Sequence, residues 1–97
     1  MAKEAQILEE ISQTIADLQI KYRRARLNER MQLKPALDEL IKEYENYQHS
    51  VLKRHNCVSG ENLEEMRAIR KEIENAADTQ KLIALIARTV TAVIKKF

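Results

Sequence analysis

The sequence predicts an all-α fold: an antiparallel three-helix bundle with a long C-terminal helix and coiled-coil-like packing, or a four-helix bundle if that last helix is broken. Three observations predict it. Strong helix formers dominate a chain that has one Gly, one Pro and no Trp, so the turn residues that β-hairpins demand are nearly absent. Apolar residues recur at alternating spacings of three and four, the period of a helix seam. Each expected helix also starts acidic and ends basic, the arrangement the helix macrodipole favours.

Helix 1 is expected over about residues 3–33, with Leu8, Ile11, Ile15, Leu18, Tyr22 and Ala25 on its seam. Pro35 disfavours helical geometry at the residue before it and suits the first turn of a new helix, so helix 2 is expected over about residues 35–56. Its stripe is Leu37, Leu40, Tyr44, Tyr47 and Val51, widened by Ile41 and Leu52. "HNCVSGEN", residues 55–62, holds the single Gly and the best cluster of turn formers, so it is read as the second connection, with Ser59 as an N-cap. Helix 3 is expected over about residues 61–97, carrying Met66, Ile69, Ile73, Ala76, Gln80, Ile83, Ala87, Val90, Ile94 and Phe97 at alternating three and four. That period crosses "NAADTQ" without slipping and favours one long helix. The alternative is a break near residues 75–79, where Asp78 would cap a fourth helix.

At 97 residues, 44% hydrophobic and 33% charged, one helical domain over 1–97 is expected. A chain of this size buries only about 60 to 65% of its unfolded surface, so association with a second copy is one route to stability. The single Cys57 cannot form an internal disulfide, and no hydrophobic signal segment follows "MAKEAQILEE", so a cytoplasmic, reducing compartment is the expectation. The apolar run "LIALIARTVTAVI" is too short to span a bilayer and contains Arg88.

The charges are ordered along the chain. Residues 1–20 carry a net −3, 21–34 a net +5, 35–50 a net −3, 51–60 a net +2, 61–79 a net −3 and 80–97 a net +4. The basic cluster Lys21, Arg23, Arg24, Arg26 and Arg30 therefore falls where the last turns of helix 1 are expected, and the macrodipole alone would place bases there. If three helices run up, down and up, this cluster and the basic tail of helix 3 share one end of the bundle. Such an end would attract an acidic protein or contact the phosphates of a nucleic acid.

The segment "KYRRARLNERM" resembles the junction of the basic region and first helix in basic helix-loop-helix transcription factors. The resemblance implies DNA reading, but it covers only this short stretch. Ile20 stands where that family carries a base-reading Glu, and two heptads of apolar seam precede the arginines, so a free arm that folds on DNA is not expected.

No constellation for catalysis stands out. His49 and His55 are six apart with Cys57 after them, and i, i+6 positions do not share a helix face, so no metal site is expected. The carboxylate pairs Glu9 with Glu10, Glu39 with Glu43 and Glu61 with Glu65 suit solvated helix faces. The AroQ-type chorismate mutases share a small all-α layout but need an Arg early in helix 1, and here none precedes Arg23. No phosphate-cradling Gly loop exists either. Neither enzyme activity nor a cofactor is expected.

The last segment is the most informative. Helix 2, at about 22 residues, spans roughly 33 Å, whereas a continuous helix 3 spans over about 50 Å. The overhang is apolar, and a second copy of the chain would cover it. The sequence therefore points to a non-enzymatic interaction protein, an adaptor, assembly subunit or small regulator. It would act as a homo-oligomer, a dimer, through Leu82, Ile86, Val90, Val93, Ile94 and Phe97. Lys21, Arg23, Arg24, Arg26 and Arg30 would form its charged contact with another protein, or alternatively with nucleic acid. The alternatives for the apolar segment are a self-contained four-helix bundle and attachment of "LIALIARTVTAVIKKF" to a membrane surface.

Overall fold

Where the seam of helix 1 was expected to run on to residue 33, the backbone turns sharply after Arg24. The computed structural model describes residues 2–54 and 60–95. Within them lie four helices, α1 (Ala2–Arg24), α2 (Leu27–Arg54), α3 (Gly60–Asn75) and α4 (Thr79–Lys95), and no strand.

The first turn occupies Ala25 and Arg26 alone. It is held by polar contacts of its own residues. The Ala25 N–H donates to the Tyr22 carbonyl at 3.2 Å, and the Arg26 N–H donates to Glu29 Oε1 at 3.1 Å. The latter is half of a capping box, with a glutamate at the third helical position reaching back to the cap residue. The Arg30 guanidinium closes the turn from outside by donating to the Ala25 carbonyl at 3.0 Å. The expected boundary at Pro35 is thus corrected: the turn falls ten residues earlier, and Pro35 sits inside α2. It is exposed there, so its ring meets no neighbouring helix.

The second correction concerns the C-terminal helix, which is not long. Asp78 breaks it, with its Oδ1 accepting the Lys81 N–H at 2.8 Å and its carbonyl accepting the Leu82 N–H at 3.2 Å. This is an N-cap satisfying an otherwise orphaned donor. The phase of the seam changes across the break. Met66, Ile69 and Ile73 are buried as expected, but Gln80, Ala87 and Ile94, which continue that period, are exposed. Of the expected seam Val90 is buried and Ile83 half-buried; the other buried positions of α4 are Leu82, Leu85, Ile86, Thr89, Ala92 and Val93. The expected cap at Ser59 lies outside the described residues.

α1 packs against α2 and α3, and α4 packs against the same two helices. Among the described residues α1 does not touch α4 and α2 does not touch α3, so these pairs lie on the diagonals. One apolar cluster fills the centre, drawing Ile7, Ile11 and Leu18 from α1, Leu33, Leu37, Leu40 and Tyr47 from α2, Met66, Ile69 and Ile73 from α3, and Leu85 and Ile86 from α4. Ile7 lies deeper than the expected Leu8, and Tyr44 is half-buried. Two hydroxyls enter this core. Thr14 donates to the Glu10 carbonyl at 2.7 Å and Thr89 to the Leu85 carbonyl at 2.8 Å, so each is satisfied by its own helix. The Cα radius of gyration is 13.2 Å, matching the roughly 13 Å of a compact chain of this length.

The two short turns lie together. A groove between them is lined by Lys21, Arg24, Ala25, Glu29 and Leu33 on one side and by Ala76, Ala77, Asp78, Thr79 and Leu82 on the other. α4 therefore starts beside the basic cluster and ends about 24 Å along its own axis from it. The expected meeting of the two basic segments at one end does not occur.

Two substitutions test the helix boundaries. Asp78→Ala removes the α4 cap and is expected to lower unfolding free energy by about 1 kcal/mol in urea melts. Pro35→Ala restores a helical N–H at an exposed interior position and is expected to raise it by about 1 to 3 kcal/mol.

Candidate functional site

The four helices carry their positive charges in two different ways. On α3 and α4, arginines reach carboxylates of neighbouring helices. Arg70 donates through Nε to Asp17 Oδ2 at 3.1 Å and through Nη1 to Glu10 Oε1 at 3.2 Å, while Arg67 Nε stands 3.5 Å from Glu10 Oε2. Arg88 Nη1 donates to Glu72 Oε2 at 2.8 Å, and Lys81 Nζ stands 3.9 Å from the same carboxylate. These contacts clip α1 to α3 and α3 to α4. The Asp17 hydrogen bond above all, with Glu10 adding to it against partial desolvation, raises the Arg70 pKa above its ordinary value. A raised folded-state pKa gives stability that is present below the ordinary arginine range and lost only at higher pH. The clip is therefore insensitive to pH near neutrality.

At the turn between α1 and α2 the arrangement is different. Arg23, Arg24 and Arg26 are exposed, and among the described residues none of the three side chains is in an ion pair. Of the other two bases expected at this surface, Arg30 is half-buried and spent on the Ala25 carbonyl. Lys21 is half-buried and lines the groove between the two turns. Glu29, the one acid of the segment, is engaged in capping. Lys34 pairs with Asp38 at 3.4 Å one turn further on.

Beside the three unpaired arginines stand two apolar side chains that sequence reasoning missed. Leu27 is 71% exposed and Met31 is 70% exposed, and Ile20 at the end of α1 is 44% exposed. Leu27, Met31 and Pro35 are spaced by four and so share one side of α2. Their signal was present in the sequence as an i, i+4, i+8 row, but the expected boundary split it, with Leu27 and Met31 inside helix 1 and Pro35 at the start of helix 2.

The residues expected to form an oligomer interface are mostly elsewhere. Leu82, Ile86, Val90 and Val93 are buried within this chain, because α4 folds back and its apolar side is covered by α2 and α3. The overhang that motivated an interface of these four residues is absent. That side is likewise closed to a membrane surface. Ile94 is 57% exposed, and Phe97 lies outside the described residues.

Other candidates are dispersed. His49 is exposed, while His55 and Cys57 lie outside the described residues. Among the described residues no group of three or more His, Cys, Asp and Glu side chains is placed to hold a metal ion. Of the three carboxylate pairs, Glu10 is occupied by Arg67 and Arg70. No described helix is long and apolar enough to cross a membrane.

No known protein family, curated protein or solved structure matches the chain. The chemistry of the site stands on its geometry.

Removing the half-buried Arg70 by Arg70→Ala takes away the partner of Asp17 and leaves Glu10 only Arg67, and is expected to cost about 1 to 3 kcal/mol. Arg67→Ala, at the exposed rim of the same network, is expected to cost within about 0.5 kcal/mol. Paired urea melts of the two variants check the contrast.

Proposed function

We propose that the chain is a non-enzymatic helical interaction protein, an adaptor, assembly subunit or small regulator, that engages anionic partners through the corner between α1 and α2. The observation that carries this reading is the partition of the arginines. Those on α3 and α4 are consumed by the fold, whereas Arg23, Arg24 and Arg26 are left unpaired beside exposed Leu27 and Met31. Three guanidinium groups within four residues cost self-repulsion when no acid offsets them, and a partner's anions relieve it.

The helices are read as one antiparallel domain. In it successive helices run antiparallel and α1 and α3 run parallel: Glu10 and Asp17 meet Arg67 and Arg70 in the same chain order, Glu72 meets both Lys81 and Arg88 across the short α3–α4 turn, and both short turns line one groove. In that arrangement the corner lies at one end, beside the turn between α3 and α4.

Self-association, as a dimer, is a second reading with its own observation. The exposed side of α4 carries an uncharged row of Gln80, Ala84, Ala87 and Thr91 ending at Ile94, bordered by Lys81 and Arg88. A second copy would cover that side, with Ile94 replacing the buried residues of α4 as the contact. Contact with nucleic acid uses the same three arginines against phosphates.

Retention on immobilised heparin tests the anionic corner. The wild type is expected to elute at clearly higher salt than Arg23→Glu/Arg24→Glu, with unchanged circular dichroism; equal elution removes the corner from the function. Light scattering of the wild type and Ile94→Glu tests the second reading, and a wild-type monomer at all concentrations would sink it.

A further inference from the structure

The geometry points to an anionic bilayer surface as the partner of the α1–α2 corner, an inference that rests on the corner reading above. The corner combines two chemistries. Arg23, Arg24 and Arg26 are exposed and unpaired, and Leu27 and Met31 keep about 70% of their surface in water. A purely phosphate-binding surface has no use for the second set. Placing a leucine and a methionine against a sugar-phosphate backbone would leave them half-wet and would crowd the arginines.

The shape of the corner separates a bilayer from a protein helix. A helical partner lies in a groove with its anchors in pockets. Two grooves flank the corner. One runs between the two turns, and the other lies between α1 and α2, lined by Tyr22, Arg23, Lys34, Leu37 and Ile41. Neither is lined by Leu27 or Met31, and with about 70% of their surface exposed both side chains project from the helix rather than sit in a groove. Projecting apolar tips edged by arginines suit a surface that deforms around them, such as the boundary between headgroups and acyl chains. Each base near an anionic leaflet strengthens binding by roughly fivefold, so three arginines and two inserted side chains give reversible attachment.

The test uses the full chain with unilamellar vesicles of phosphatidylcholine alone and of phosphatidylcholine with phosphatidylserine. Co-sedimentation is expected with the phosphatidylserine vesicles only, and it is expected to weaken as salt rises. Arg23→Gln/Arg24→Gln and Leu27→Gln/Met31→Gln are each expected to lower the partition coefficient by at least about tenfold. All four side chains are exposed, so both variants keep their fold, checked by circular dichroism. No sedimentation at low salt overturns the inference. So does sedimentation that survives Leu27→Gln/Met31→Gln, because then nothing inserts. Stronger binding to a single-stranded oligonucleotide than to vesicles, indifferent to Leu27 and Met31, overturns it in favour of nucleic acid. Heparin retention separates the two levels: if it depends on Arg23 and Arg24 while vesicles are ignored, the bilayer fails and the anionic corner stands, and if it ignores them both readings fail.

Discussion

The apolar side of the last seventeen-residue helix must be covered, and one carboxylate determines what covers it. Asp78 accepts the Lys81 N–H and so starts α4 afresh at Thr79, turning Leu82, Leu85, Ile86, Val90 and Val93 inward on α2 and α3. Had the helix continued from α3, those side chains would have faced water or another molecule. The burial of five aliphatic side chains is worth several kcal/mol at about 25 cal/mol per Å², comparable with the whole net stability of a small domain. The cap itself contributes about 1 kcal/mol. A small local term thus selects between two large outcomes.

Much of the architecture was legible in the sequence for a simple reason: helix propensity and a three-four period are local properties. Ile11, Ile15, Leu18, Leu37, Leu40, Met66, Ile69 and Ile73 were all placed inside by period alone, and all are buried. What the sequence concealed were the turns without turn residues. Ala25 and Arg26 contain no Gly or Pro, and the expected seam simply stops at Ala25, where Glu29 and Gln32 take the next positions, a lapse that a basic helix end also explained. The stabilising contacts come from Glu29 and Arg30, charged residues that read equally well as a helix surface. Pro35 misled in the opposite sense. Its cost inside a helix is a prior that packing of Leu33, Leu37 and Leu40 overrides. At Asp78 the reverse applies, since the signal was visible but an accidental continuity of period outweighed it. The candidate site suffered from the same error. Its arginines were identified, while Leu27 and Met31 were hidden in a helix interior that proved to be a helix start.

The electrostatics follow from this topology. With α4 turned back, its basic end no longer joins the cluster at residues 21–34, and the charge of the corner is local rather than the pole of a molecular dipole. Local charge of this kind acts over about a Debye length, roughly 8 to 10 Å at physiological salt. It governs what the corner touches and has little effect on how the molecule orients at a distance. The ion pairs on α3 serve the opposite purpose, fixing which residues of neighbouring helices face one another.

Pro35 divides α2 into two stretches of unequal commitment. Ahead of it, residues 27–34 contribute only Leu33 as a buried side chain, whereas behind it Leu37, Leu40 and Tyr47 anchor the helix in the core. A proline cannot donate to the carbonyl four residues before it, so the ladder joining the two stretches lacks a rung where the packing thins. The free energy of opening the first two turns of α2 is then lower than that of the molecule as a whole. A local opening there would expose amides of residues 27–34 while the core stays closed, so Leu27 and Met31 could shift relative to the arginines on α1 without unfolding what lies behind them.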